Sequence, residues 1–224
     1  MFGRRKTELP TRETALPGRD VRLFPVPELH AVLGTPIEGQ VPEGMSEAVF
    51  GLGCFWSVEK AYWGLPGVWT TAAGYAGGVT PNPTYDEVCS GGTGHAEVVR
   101  MVFDPAKTSY GRLLKEFWEH HDPTQGMRQG NDHGTQYRSI ILTVDEDQRR
   151  QAEESRAMYQ EVLSERGLGM ITTEILPLEN FWYAEDYHQQ YLIRNPGGYC
   201  PDHSTGIACP IDTRATGTTG TAGA

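Results

Sequence analysis

The stretch "HAEVVRMVFD", residues 95–104, reads as a strand because its side chains alternate. His95, Glu97, Val99, Met101 and Phe103 fall on one face, and Ala96, Val98, Arg100 and Val102 on the other. Working outward, "EAVFGLG" (47–53) and "GVWTTAAGY" (67–75) are strands, with a short helix over 56–64 between them and a helical turn at 84–90. On the C-terminal side, Tyr110, Leu113, Leu114, Phe117, Trp118 and His121 follow the i, i+3, i+4, i+7 spacing of a buried helix face over 109–121. "QYRSIILTV" is the next strand. Asp145, Glu146 and Asp147 then open a helix at about 145–166, where acids suit the positive end of the helix dipole. Strand "ITTEILPL" and a helix near 183–193 complete the pattern. Alternation of this kind predicts a layered α and β domain with helices over a sheet, parallel or mixed.

The chain has 224 residues, 38% hydrophobic and 21% charged, and no stretch approaches the roughly 18 consecutive apolar residues of a membrane span. A soluble protein is expected. The start, "MFGRRKTELPTRETALPGRD", has basic residues but no apolar run after them, so export is not expected and the cytoplasm is the default compartment. A net charge of −10 argues against nucleic acid as a partner. Residues 1–22 run the other way, with six basic against three acidic side chains, so this arm either lies on the acidic body or is a solvated tail. Residues 1–45 hold six of the fifteen prolines and no periodicity, as an extended arm would. "ATGTTGTAGA" at the other end has nothing to bury and reads as disordered.

Glu97 shares its strand face with three apolar residues. A carboxyl placed there is desolvated, its pKa rises, and it can hold a proton near neutral pH as a general acid; a strand-end glutamate paired with an arginine is the plainer alternative. Cys54, in "GLGCFW", stands at a predicted helix start, where free amides and the dipole favour thiolate over thiol. A buried cysteine acting as a small hydrophobe would fit the position equally well. The glycines around it do not make a dinucleotide fingerprint, because Trp56 stands where a third glycine is required, and "GYAGG" (74–78) lacks the Lys and Ser/Thr of a phosphate loop.

Four cysteines, Cys54, Cys89, Cys200 and Cys209, in a chain of this length suggest buried, catalytic or metal-binding thiols rather than structural disulfides. Two rival chemistries follow from the composition. One is a cysteine hydrolase with Cys54 activated by His95 or His133. The other is a thiol switch or metal module built on Cys200, His203 and Cys209, although neither a C-x-x-C nor an H-x-x-x-H pair occurs, and no metal is expected.

Read in order, "GCFW", "GYAGG", "NPTYDEVCSG", "TGHAE", "HDPTQGMRQGNDHGTQYRS", "YAEDYHQQYL" and "NPGGYC" resemble the A type of peptide methionine sulfoxide reductase from about residue 46 to 210. "ALPGRD" and "LHAVLG" resemble the arm of its longer bacterial members. The resemblance implies an α+β fold, a two-layer ferredoxin-like sandwich with long irregular N- and C-terminal extensions. The chain then divides into an arm (1–45), a catalytic reductase domain (46–210) and a tail (211–224). It also implies reduction of methionine S-sulfoxide, free or in proteins, by a monomer without a bound cofactor.

Carried over by motif, Cys54 is the nucleophile and Glu97 the proton donor, while Phe55 and Trp56 form a pocket for the substrate methyl group. Tyr85 and Tyr137 donate to the sulfoxide oxygen, and Asp132 shapes the polar wall. Attack leaves a sulfenic acid on Cys54, which Cys200 resolves; a Cys54–Cys200 disulfide then passes to Cys200–Cys209 for reduction by thioredoxin, an exchange that needs a mobile tail. Cys89 matches a family cysteine outside this relay and is expected as a partly buried free thiol. The linker "PDHSTGIA" carries a proline and a single glycine where relatives are often glycine-rich.

Overall fold

A computed structural model of the chain describes residues 6–200 and 203–211. Its elements run β1 (Ser46–Leu52), α1 (Phe55–Trp63), β2 (Val68–Ala76), α2 (Tyr85–Cys89), β3 (Ala96–Phe103), α3 (Tyr110–Glu119), β4 (Arg128–Gln129), β5 (Asp132–His133), β6 (Ser139–Thr143), α4 (Glu146–Glu165), β7 (Glu174–Pro177), β8 (Phe181–Tyr183) and α5 (Tyr191–Arg194). Six strands form one sheet in the order β7-β6-β1-β3-β2-β8. All neighbours are antiparallel except β6 and β7, which the long helix α4 connects as a parallel crossover. Within it, the four central strands lie in the order β6-β1-β3-β2, with α1 between β1 and β2, α2 between β2 and β3, and α3 and the β4-β5 hairpin between β3 and β6; the edge strands β7 and β8 extend that unit on either side. The fold is α+β, with a mixed sheet. No helix of the described residues is long and apolar enough to cross a membrane.

The alternation of β3 sets the layering. Val99, Met101 and Phe103 join Phe50 of β1 and Tyr62, Leu113, Phe117 and Trp118 of the helices in the main core, where full burial of each such side chain contributes roughly 1.5–3 kcal/mol. The face of α3 is the one its spacing predicts, and Ser109 caps its start by accepting from Arg112 N. The opposite sheet face is thinner: Val49, Val98, Ile140 and Leu142 form one small cluster there, and Val26 and Ile37 of the arm cover Ala72. Arg100, on this face, pairs with Glu47 at 2.7 Å.

One predicted element is corrected. In place of a helix near 183–193, the chain forms the short strand β8, a run of turns, and four residues of α5. Side chains take over the pairing that a helix would have satisfied internally. The Gln189 amide accepts from Ala73 N and donates to Ala73 O, both at 2.9 Å, so it stands in for the next residue of an edge strand beside β2. Gln190 then adopts a left-handed backbone, φ +48, which breaks any helical run at this point.

The arm contributes no helix or strand among its described residues, only an isolated bridge between Leu29 and Pro36. It is packed nonetheless. Arg19 binds Glu87 at 2.5 Å, and the arm covers the edge of β2 beyond the reach of β8, with Thr35 Oγ1 donating to Trp69 O at 2.7 Å. His30 is 1% exposed. Its Nδ1 accepts from Val32 N and Leu33 N, which leaves the proton on Nε2 to donate to Thr71 Oγ1 at 2.8 Å; Thr71 in turn donates to Glu59 Oε1 at 2.9 Å. Glu59, on α1, also accepts from Gln190 N and Nε2, both at 2.7 Å. Burial pushes Glu59 up to about 7 and His30 down to about 4, so both favour their neutral forms. The tail predicted at 211–224 lies, beyond Ile211, outside the described residues.

Thr71 is the only link between the His30 and Glu59 side chains in this chain of hydrogen bonds. Thr71→Val should leave a buried imidazole N–H and one carboxyl contact unmet, lowering stability by about 1–3 kcal/mol in urea unfolding. It should also open residues 25–40 to limited proteolysis. An unchanged midpoint and cleavage pattern would show that the arm is held by other contacts.

Candidate active site

The site begins at the corner between β1 and α1. Gly53 adopts φ +102, and a Cβ there would come within 2.8 Å of the Gln129 side chain, so the turn both needs and has room only for glycine. The turn makes Cys54 the N-cap of α1, nearly buried at 8% exposure; its sulfur accepts no capping hydrogen bond, although the Trp56 and Ser57 amides of the first turn favour its charged form. The next amide, Phe55 N, donates to Glu97 Oε2 at 3.1 Å. Strand β3 thus delivers its carboxyl to the first turn of the helix that Cys54 caps.

The electrostatics differ from the expectation for a helix start. Burial pushes the Cys54 thiol well up, and the Glu97 charge pushes it further; the two amides pull the other way without prevailing. Burial likewise pushes Glu97 up to about 8, with Asp132 adding to the rise and the Phe55 N–H opposing it. At neutral pH the acid is mostly protonated and the thiol is intact.

Tyr85 opens α2, its N donating to Glu185 Oε1 at 2.8 Å, and its phenol and the Cys89 thiol are close enough to influence one another electrostatically. Tyr137 closes the single 3-10 turn at 135–137. Burial first, and then the nearby Glu97 charge, raises both phenols, so both remain O–H donors. Asp132, on β5, accepts from Tyr199 OH at 3.2 Å and is felt electrostatically by Cys54, Glu97 and Tyr137. Residues 54–56, 85, 97, 132 and 137, far apart in the chain, therefore share one neighbourhood. Cys89 is a half-buried free thiol, as expected, but one that borders the site through Tyr85.

An aromatic wall lies beside them. Trp56 stacks on Tyr191 with ring centroids 3.9 Å apart and 16° between planes, and its Nε1 donates to His188 Nδ1 at 3.0 Å. The His188 ring also meets Phe55 at 4.9 Å and Tyr85 at 4.5 Å. Burial drives His188 down to about 4, so it is a neutral wall element with its proton on Nε2. Glu185 braces the arrangement by also accepting from Tyr75 OH at 2.8 Å. His188, Glu185 and Tyr191 had no role assigned from sequence; the clustering of aromatic and polar residues in "YAEDYHQQYL" was their only signal.

The C-terminal cysteines are placed differently from one another. Cys200 is exposed and lines, with Cys54, a cavity of about 300 Å³ on the other flank of α1. Cys209 is 3% exposed in the main core, its N donating to Glu119 Oε1 at 2.7 Å and its O accepting from Lys115 Nζ at 2.9 Å. Burial raises its thiol to about 11. All four cysteines are free.

The hydrolase alternative finds no support in His95, whose Nδ1 accepts from Gly78 N at 3.0 Å and whose Nε2 donates to Thr80 O at 2.7 Å. His133 is exposed on β5. Among the described residues no group of three or more His, Cys, Asp or Glu side chains is arranged to hold a metal ion.

Comparison with known proteins agrees with this geometry. The family model described as peptide methionine sulfoxide reductase matches residues 46–213. The chain is 59% identical to peptide methionine sulfoxide reductase MsrA of Salinispora arenicola over 94% of its own length and 97% of the relative's. It is 60% identical to MsrA of Azotobacter vinelandii over 90% and 93%. Among solved structures, methionine sulfoxide reductase A of Corynebacterium diphtheriae superposes with a TM-score of 0.82 at 49% identity, covering 92% of this chain and 99% of that one. The reduced form of Mxr1 from Saccharomyces cerevisiae gives 0.67 at 34% identity, over 75% and 94%. With a family match over most of its length and relatives this similar across nearly all of it, the chain belongs to the peptide methionine sulfoxide reductases, enzymes that reduce methionine sulfoxide to methionine.

Proposed function

We propose that this chain reduces methionine S-sulfoxide, free or in oxidised proteins, with Cys54 as nucleophile and Glu97 as proton donor. The observation that carries the reading is the Glu97 carboxyl. It is buried, raised to about 8, and held 3.1 Å from the first amide of the helix that Cys54 caps. The sulfoxide oxygen leaves sulfur only as it gains a proton, and a carboxylic acid that is still protonated at neutral pH can supply one. Tyr85 and Tyr137 add hydroxyl donors where negative charge develops on that oxygen. Asp132 holds Tyr199 at the polar wall.

As the oxygen is protonated, the emptied carboxylate takes the Cys54 proton, and the amides of Trp56 and Ser57 steady the thiolate. The Cys54 sulfur then bonds to the substrate sulfur, and the protonated oxygen passes from the substrate sulfur to the Cys54 sulfur. As the S–S bond breaks, its electron pair stays on the substrate sulfur, which is thereby reduced by two electrons; methionine leaves and Cys54 carries the hydroxyl as a sulfenic acid. Phe55 and Trp56, held by His188 and Tyr191, form the apolar pocket for the methyl group. A methyl pocket and oxygen donors at separate positions accept one hand of the sulfoxide, and the S epimer is the hand that the resemblance to the A-type reductases implies.

Recycling in this reading uses Cys200, which forms a disulfide with Cys54 and then exchanges to Cys209 for reduction by thioredoxin. The exposed Cys200 beside the Cys54 cavity supports its place in the relay. The buried Cys209 requires residues 205–211 to leave the core first. The same reading treats 1–45 as an arm, 46–210 as the reductase domain and 211–224 as a tail, acting as a monomer in the cytoplasm.

Three outcomes test it. Cys54→Ser should abolish methionine formation from the S-sulfoxide in the presence of reduced thioredoxin; wild-type turnover in that variant would remove Cys54 from the chemistry. Wild-type single-turnover rates should fall as pH rises through about 8, where Glu97 loses its proton. Glu97→Gln should be slower by about 10²–10⁴-fold and lack that alkaline limb, so an unaltered pH profile would argue against the acid role. Cys209→Ser should release one methionine per chain at the native rate yet turn over poorly with thioredoxin, and full steady-state activity would exclude Cys209 from the relay.

A further inference from the structure

The cavity on the second flank of α1 has a lining that the steps above do not use. Leu52, Val58 and Ala61 give it an apolar wall, and Cys54, Cys200 and His203 meet around it. His203 belongs to the linker that departs from the glycine-rich pattern, three residues after the resolving cysteine. Its ring has a prepared seat. Gly130, at φ +57, leaves the space that the imidazole fills, and a Cβ there would fall 2.0 Å from a ring atom. Gly130 is itself held by its N donating to Gln125 Oε1 at 2.8 Å.

Having been seated in this way, His203 leaves Nε2 buried without a hydrogen-bond partner. A buried unpaired ring nitrogen is unfavourable unless another state of the molecule uses it. His120 lines the same cavity, but its Nε2 is engaged by Glu116 Oε2 at 2.9 Å. His203 is the lining imidazole whose buried ring nitrogen lacks a partner among the described residues.

We propose that His203 is the proton carrier for the resolving step, a role that rests on the sulfenic acid reading of Cys54. A thiol attacks as thiolate, and imidazole is the side chain suited to accept its proton near neutral pH. The Cys200 sulfur attacks the sulfur of the Cys54 sulfenic acid as its proton passes to His203. The S–S bond forms and the S–O bond breaks; Cys200 is oxidised and Cys54 reduced as they join. The departing hydroxide takes the proton from the imidazolium and leaves as water, so His203 ends neutral.

The test separates the two chemical steps in the full-length protein, without thioredoxin. Wild type and His203→Gln are mixed with one equivalent of methionine S-sulfoxide. Methionine release is followed directly, and the sulfenic acid by trapping with a 1,3-diketone at successive times. His203→Gln should form methionine but keep the trappable sulfenic acid at least about tenfold longer at pH 7. The difference should shrink as pH is raised and hydroxide takes over proton removal, and added imidazole should shorten the lifetime again. Equal lifetimes at pH 7 would overturn the proposal. So would a slow decay in the variant that neither pH nor imidazole corrects, which would mark His203 as a structural prop. Absence of methionine release from the wild-type protein would instead overturn the reading of Cys54 itself.

Discussion

The hydrogen bond from Phe55 N to Glu97 joins the two halves of the site, and most of the fold serves to make it. A carboxyl that emerged into solvent would ionise with the ordinary acidity of a glutamate. Here β3 runs through the middle of the sheet with β1 and β2 on either side, so Glu97 is 2% exposed and its charged form is penalised. One helix amide is not enough to offset that burial. The result is an acid raised to about 8 and placed at the helix start, where a carboxylate, once formed, would be favoured by the dipole.

Because Cys54 and Glu97 feel each other, they cannot both be charged at little expense. Burial and the Glu97 charge oppose the thiolate, while the amides of Trp56 and Ser57 support it. Both groups therefore keep their protons at rest, the acid's being the one given up first, and the phenols of Tyr85 and Tyr137 remain donors throughout because the same burial holds them protonated. A thiol kept protonated until substrate arrives is also guarded against oxidants, since susceptibility follows thiolate character and exposure. Reactivity in this site is coupled to the acid rather than built permanently into the cysteine.

Those parts of the site that depend on short-range pattern were legible in the sequence. Two-residue alternation placed Glu97 among Val99, Met101 and Phe103, and the glycine before Cys54 marked the strand-to-helix corner; both are local consequences of backbone geometry. The failure near 183–193 has the opposite cause. That segment carries apolar residues at spacings compatible with a helix, but Gln189 hydrogen-bonds across more than a hundred residues to Ala73, and Gln190 turns left-handed beneath Glu59. Tertiary partners overrode local preference, so His188 and Tyr191 could not be placed on the Trp56 wall by periodicity. The arm was hard to read for a related reason: its docking depends on one buried histidine and scattered backbone contacts rather than on a repeating apolar face.

For the proposed relay, the contrast between Cys200 and Cys209 defines what the C-terminal segment must do. Exposed Cys200 can approach Cys54 through the adjoining cavity with the core intact. Cys209 cannot exchange where it lies, packed at 3% exposure with its backbone tied to Lys115 and Glu119 and the preceding residues tied to the Tyr159 hydroxyl through Thr205 Oγ1 and Ile207 O. These are few contacts, each worth on the order of 1 kcal/mol net, and they hold no regular secondary structure, so the segment belongs to the low-stability end of the molecule. Local release of 205–211 is then far less demanding than unfolding the sheet or α3. In the proposed relay, chemistry on rigid elements and recycling on a peelable strip are thereby kept apart, and a buried second thiol stays out of reach of stray oxidants until the first disulfide has formed.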